Sequence, residues 1–145
     1  MEIEKFTIEN YENIVQLWKK VDLSITSSDS KEEIERMIKK NPNLSLISKI
    51  GGKIVGVVMG GFDGRRGYVH HLAIDPKYQK KGFGRKLMDE LMERFRQKKV
   101  HKVHLFIEKR NKDVITFYQK LGWEMRNDLV MMSFVPDKNL YKPKV

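Results

Sequence analysis

The residues of this chain best suited to chemistry fall in three places. The first is Gln79-Lys80-Lys81-Gly82-Phe83-Gly84-Arg85-Lys86, where two glycines stand among cations. A helix N-terminus leaves amide hydrogens without partners and carries partial positive charge, so a glycine-rich turn opening a helix can wrap a phosphate closely. Two nucleotide motifs are excluded by spacing. A P-loop needs Gly-Lys followed by Ser or Thr, and a dinucleotide fingerprint needs glycine where Leu87 stands. A plain helix start with solvated lysines has the same spacing, so the turn alone leaves both readings open. The second place is the adjacent pair His70-His71; strand neighbours point oppositely, so only one of them is expected to face a given cleft. The third is Asn111 followed seven residues later by Tyr118, which by itself also reads as a core tyrosine beside Phe117. His70, His71, His101 and His104 lack thiolate companions and a helical His-Glu-x-x-His spacing, so no metal site is expected.

The elements that must hold these residues follow from periodicity. Behind a cap at Asn10, Tyr11, Ile14, Val15 and Trp18 repeat at helical spacing, and Ile34, Met37 and Ile38 repeat it after the polar loop Ser24 to Ser30. From Leu44 the pattern becomes β: a run to Ile50, a Gly51-Gly52 hairpin turn, Ile54 to Met59, a turn over Phe62 to Gly67, and Tyr68 to Ile74 closed by Asp75-Pro76. A helix with its apolar stripe on Phe83, Leu87, Met88, Leu91, Met92 and Phe95 comes next. The strand Val100 to Ile107 and a helix over Val114 to Leu121 stopped by Gly122 follow. Two last strands are expected around Trp123 to Met125 and Leu129 to Val135. The order β, α, α, β, β, β, α, β, α, β, β contains a β-α-β unit over Tyr68 to Ile107, hence a mixed sheet with a right-handed crossover. An α/β (α+β) domain with four helices flanking six to seven mostly antiparallel strands is expected over residues 1–135, with a frayed basic tail over 136–145.

Composition narrows the function. The chain has 145 residues, 40% hydrophobic content and no cysteine, which suits one domain and excludes disulfide scaffolds and a thiolate nucleophile on the protein. No signal-like or membrane-spanning run is present, so a cytoplasmic protein is expected. Lys and Arg exceed Asp and Glu by ten, and nine of that surplus lie between Lys77 and Lys112, around the glycine turn. Nucleic-acid binding is the rival explanation of such charge, but no exposed aromatics are interleaved to stack bases, and a phosphate-bearing cofactor accounts for the local excess.

Gln79-x-x-Gly82-x-Gly84 after Leu72-Ala73-Ile74-Asp75-Pro76 resembles the coenzyme A signature of the GCN5-related N-acetyltransferase superfamily. Asn111 and Tyr118, within Asn-x6-Tyr-Gln-Lys-Leu-Gly-Trp, are similar to its second motif. The resemblance covers roughly residues 1–135 and is nearest to short bacterial members of uncharacterised specificity. It implies that Gln79, Lys80, Lys81, Gly82, Phe83, Gly84, Arg85 and Lys86 hold the pyrophosphate of acetyl-CoA. It also implies a bulge near Leu72, Ala73 and Ile74 whose amides meet the thioester carbonyl and pantetheine, with Asn111 and Tyr118 contacting the cofactor as well. Tyr118 would protonate the departing thiolate; ordinary pKa values near 10 for phenol and 8.5 for thiol make that transfer cost about 3 kcal/mol or less.

The base is less constrained. An amine of pKa about 10.4 is protonated all but about one part in 10³ at neutral pH, so its proton needs an acceptor before attack. Two histidines lie two apart on this strand in the serotonin acetyltransferase branch. The second aligns with His70, which is the expected base, and Tyr68 stands at the first. Where other branches carry a catalytic glutamate, this chain has Tyr68 or Phe106; Glu108, displaced by two residues, and a water relay remain alternatives. The resemblance thus implies an N-acetyltransferase moving acetyl from acetyl-CoA to a primary amine by direct attack in a ternary complex, as monomer or homodimer. The competing class is a non-catalytic basic module binding acyl-CoA or nucleic acid. The acceptor, a small molecule, peptide or protein, is not legible.

Overall fold

In a computed structural model of all 145 residues, the chain runs β1 (Glu2–Lys5), α1 (Tyr11–Lys20), α2 (Lys31–Lys40), β2 (Ser45–Ile50), β3 (Lys53–Phe62), β4 (Gly67–Ile74), α3 (Phe83–Gln97), β5 (Val103–Leu105) and α4 (Lys112–Lys120). The strands form one sheet in the order β1-β2-β3-β4-β5, antiparallel through β4 and parallel between β4 and β5. That parallel pair is the crossover expected of the β-α-β unit, with α3 as its connection. Gly51 and Gly52 both take positive φ, 56° and 79°, as the hairpin between β2 and β3 requires.

Each face of the sheet buries a separate apolar cluster. On one side α3, with Leu87, Met88, Leu91 and Phe95, packs with Tyr118 of α4 on Leu46, Val58, Val69 and Ile74. On the other, Ile14, Leu17 and Trp18 of α1 and Ile34 of α2 cover Ile47, Val57, Met59 and Ala73. The helix α2 starts at Ser30, whose Oγ accepts from the Glu33 amide at 3.3 Å; it carries Glu32 and Glu33 in its first turn and Lys39 and Lys40 in its last, as the helix dipole favours. Close seating of α3 depends on Gly60, where a β-carbon would lie 2.7 Å from the Leu44 carbonyl oxygen and 2.8 Å from Leu91 Cδ1.

The expected count of six to seven strands is corrected to five. The segments around Trp123 to Met125 and Leu129 to Val135 have strand-like composition but no ladder partner, and β structure needs a paired backbone as well as propensity. Val130, Met132 and Phe134 are 87%, 90% and 87% exposed. The strand expected over Val100 to Ile107 is likewise shorter, because pairing with β4 stops at Val69 and Leu105. The C-terminal tail returns to the body: the Ser27 amide donates to the Lys142 carbonyl at 2.9 Å, and the Lys142 amide donates to Ser27 Oγ at 2.8 Å.

Candidate active site

Where β5 leaves β4, a cavity of about 410 Å³ opens between them. Its walls include His71, Leu72, Ala73 and Ile74 of β4, Leu105 to Glu108, Asn111 and Tyr118, Gln79, and the loop Val21 to Ser24. A parallel strand pair that separates exposes backbone on both inner edges. Beyond Val69, alternate amides of β4 therefore face the gap instead of a ladder. The bulge lies one residue earlier than expected: β3 runs Met59, Val58, Val57 against His70 and Ala73, so His71 and Leu72 together face Val58. His71 carries the irregularity, with φ at 54°.

The glycine turn lies at the same end of β4. Asp75, 3% exposed, accepts from the Lys77 amide at 3.0 Å and from Lys20 Nζ at 3.0 Å; these bonds hold its carboxyl below the usual carboxylate range. Gln79 Nε2 donates to the Ile74 carbonyl at 2.9 Å, so this side chain pins the turn to the strand. Lys80 and Gly82 both take positive φ, 61° and 84°, and the amides of Lys80 through Arg85 donate to no group within the chain. A row of free donors at the N-terminus of the 15-residue α3, among four cationic side chains, has the geometry and charge to hold an anion. The two glycines differ in purpose. Gly82 has open space where a β-carbon would stand and is needed for its conformation, whereas a β-carbon on Gly84 would lie 3.2 Å from Phe117 Cζ, so Gly84 seats α3 on α4.

Tyr118 is 6% exposed and packs edge-on against Phe117 and Trp123 with ring centroids 5.1 and 5.6 Å away. Burial pushes its phenol pKa up, which widens the gap to a thiol assumed from ordinary values and keeps the hydroxyl protonated throughout the neutral range. Asn111 is the residue before α4 and lines the cavity with Tyr118, so the chain brings these two together as their spacing suggests.

The bulge brings both histidines to the α1 and α2 side of the sheet, in different settings. His71 lines the cavity, its Nε2 lies 2.7 Å from Oδ1 of Asp29, and its ring meets Trp18 edge-on at 5.0 Å. Asp29 is 7% exposed; burial acts to raise its pKa, but the bonds from His71 and from the Thr26 amide, 2.9 Å from Oδ2, outweigh burial and the net shift is downward. His70 lies outside the cavity lining and is exposed, stacked at 6.5 Å on Tyr68. Crowding by neighbouring protein atoms, and then the proximity of His71, push its pKa down. The pairing of Asp29 with His71 has no local signal in the sequence, because the two lie 42 residues apart. Glu108 accepts from Ser24 Oγ at 2.9 Å and from Arg110 Nε at 2.6 Å, tying the loop after α1 to the loop before α4 across the cavity.

The comparisons agree with this architecture. Residues 11–123 match the model of the Acetyltransferase (GNAT) family. An acetyltransferase of Sodalis glossinidius is 32% identical over 91% of this chain and 93% of its own length. One of Pectobacterium atrosepticum is 35% identical over 86% and 88%, and an uncharacterized N-acetyltransferase of Yersinia pestis is 33% identical over 90% and 93%. Among solved structures, Ard1 from Thermoplasma volcanium superposes with a TM-score of 0.77 at 20% identity, covering 86% of this chain and 83% of that one. The PaiA N-acetyltransferase of Thermoplasma acidophilum, in complex with coenzyme A, does so at 0.76 and 19%, covering 87% and 91%. At those identities the structures speak for the fold, and the family match together with the relatives speaks for the activity: this chain is a member of the GNAT family of acetyltransferases.

Proposed function

We propose that this enzyme binds acetyl-CoA along the turn Gln79 to Lys86 and the diverging edge of β4, and transfers the acetyl group to a primary amine by direct attack in a ternary complex. The observation that carries the reading is the row of unpartnered amides from Lys80 to Arg85 opening onto the cavity that holds Tyr118 and Asn111. Those amides, with Lys80, Lys81, Arg85 and Lys86, fit a pyrophosphate in geometry and charge. The backbone of Leu72, Ala73 and Ile74 is the natural contact for the acyl and pantetheine portion, through amides aimed at developing negative charge on oxygen. Acetyl-CoA supplies the activated carbonyl carbon; the chain holds it, shields it and moves two protons.

One proton leaves the amine and the other reaches the sulfur. Tyr118 is the donor to sulfur: its hydroxyl stays protonated, and its burial makes a hydrogen bond to developing thiolate stronger than in water. For the amine, the geometry favours His71 over the expected His70. His71 faces the cavity, and Asp29 at Nε2 fixes the ring so that Nδ1 is the nitrogen left to accept. Calorimetric titration with acetyl-CoA at near-physiological salt tests the binding half. Tyr118→Phe tests the chemistry: kcat falls on the order of 10²-fold while acetyl-CoA affinity moves less than about threefold. A titration with no saturable heat would remove the cofactor reading. Unchanged turnover in Tyr118→Phe would remove the proton donor.

A further inference from the structure

The acceptor class follows from how charge is distributed around the far mouth of this cavity, and the inference rests on the acetyl-transfer reading above. The cofactor turn lies at the N-terminus of α3, on the α3 and α4 face of the sheet. Direct attack therefore brings the amine from the opposite face, the side of α1 and α2. Cross-strand partners share a face. Tyr68 and His70 pair with Gly61 and Met59, and Met59 belongs to the α1 and α2 cluster, so both project to the acceptor side. His104, in register with Tyr68, joins them; the ring centroids of Tyr68 and His104 are 5.9 Å apart. The acceptor-side face of the β4 and β5 edge is thus a wall of Tyr68, His70 and His104.

Cations surround this wall. The Gly67 amide donates to the Lys102 carbonyl at 3.0 Å and Gly67 is in register with Val103, so Lys102 lies beside Arg66 and Arg65 at this edge; desolvation first, and then Arg66, Lys102, Arg126 and Arg65, lower the pKa of His104. Arg126 is matched by Asp128 through two bonds, at 3.0 and 2.9 Å. Arg65, Arg66 and Lys102 have no carboxylate within ion-pair distance. Of the acids on this side, Asp29 is engaged with His71, Glu108 with Arg110 and Ser24, Asp128 with Arg126, and Asp63 accepts from the Arg65 and Arg66 amides, whereas Asp22 on the cavity wall and Glu124 form no ion pair. Along the β4 and β5 edge, away from the amine, a substrate meets three cations without an ion pair, Arg65, Arg66 and Lys102, against one such carboxylate, Glu124; Asp22 lies at the cavity itself.

The geometry points to an acceptor that presents its primary amine at His71 and carries anionic groups further along, namely an acidic peptide segment laid beside Tyr68, His70 and His104 towards Arg65, Arg66 and Lys102. Distances set the register. From His71 back to Tyr68 is three residues of strand, about 10 Å, and to Arg66 five, about 16 Å. An extended peptide advances about 3.3–3.6 Å per residue, so its acidic side chains belong at roughly positions three to five after the amine. Acidic residues directly beside the amine gain little.

The test uses the full-length enzyme with three acceptors: an alanine-headed peptide with glutamates at positions three to five, the same peptide with lysines there, and spermidine. The expected result is a kcat/KM at least tenfold higher for the acidic peptide at low salt, the advantage shrinking as salt rises. Arg65→Glu combined with Lys102→Glu should erase that preference while leaving the acetyl-CoA dissociation constant within twofold. Equal or better use of the lysine peptide or spermidine overturns the inference. Anisotropy of the labelled acidic peptide, measured without acetyl-CoA, reads the surface independently of catalysis. Peptide binding that survives the charge reversal overturns the inference, as does a single-stranded RNA that displaces the peptide at far lower concentration than unlabelled peptide does. Loss of acetyl-CoA binding in the unaltered enzyme, with charge-dependent peptide binding intact, is instead the failure of the catalytic reading.

Discussion

Replacing Asp29 with Asn separates the structural from the catalytic work of the pair it forms with His71. The substitution keeps the shape of the side chain and removes its charge. In the folded protein Asp29 is 7% exposed and accepts from His71 Nε2 at 2.7 Å and from the Thr26 amide at 2.9 Å. An amide has one oxygen for those two donors, and its NH₂ group can be accepted by His71 Nε2 only when the ring carries its proton on Nδ1, so the charge-assisted bonds are weakened and the free nitrogen of the ring is no longer fixed. Hydrogen bonds to charged groups contribute about 1.5–3 kcal/mol, which for a domain of this size lowers Tm by roughly 5–10 °C. The pH dependence has a definite sign. Asp29 is depressed below its ordinary value, near 3.8, so its contribution is present above that value and is lost as pH falls through the lower folded value. Denaturant titrations should show the deficit of Asp29→Asn fully at pH 5–7 and shrinking below about pH 4. Turnover at neutral pH should fall at least tenfold, with an altered pH profile, because the ring is no longer held with Nδ1 free to accept. A variant that loses stability as calculated but keeps wild-type kcat and pH profile would make the Asp29 and His71 pair a structural clamp and refute its part in proton transfer.

Other outcomes follow from the same geometry. Gly82→Ala meets no steric obstacle, yet must hold φ near 84° at a cost of about 1–2 kcal/mol. Strain relieved by re-orienting the turn scatters the free amides, so acetyl-CoA affinity should drop about tenfold with little change in Tm, as calorimetry would show. Gly60→Ala places a β-carbon 2.7 Å from a main-chain oxygen of Leu44, and overpacking against backbone costs about 1–3 kcal/mol or more, visible as a lower denaturation midpoint with the same kinetic constants per folded molecule. His71→Gln should lower kcat by more than His70→Gln does, the comparison being made at equal acetyl-CoA saturation; the reverse order would return the proton acceptor to His70.

Much of this enzyme is legible along the chain because its signals are local. The amphipathic repeats of α1 to α4, the Gly51-Gly52 hairpin, the stop at Asp75-Pro76 and the cap-like turn from Gln79 to Lys86 depend on residues a few positions apart, where periodicity, ring closure and backbone freedom act. The order of elements from α1 to α4 and the parallel crossover follow from such patterns. Tyr118 and Asn111 belong here too, since one helix carries both to the same cavity.

The remainder was decided by tertiary contacts. Strand propensity from Leu129 to Val135 is real, but a strand exists only against a partner, and pairing of β5 with β4 ends after three residues. The simple alternation of side chains placed one histidine towards the cleft on the assumption of an unbroken strand. A bulge with φ of 54° at His71 cancels that assumption and turns this ring towards Asp29 and Trp18. Gly84, part of the glycine turn, also gives room to Phe117, a residue 33 positions on. Asp29 finds His71 at a separation of 42 residues. Local sequence sets what each segment prefers. Which side chains share a cleft, and which charges are already matched before a substrate arrives, is settled by packing between segments, where no local pattern reaches.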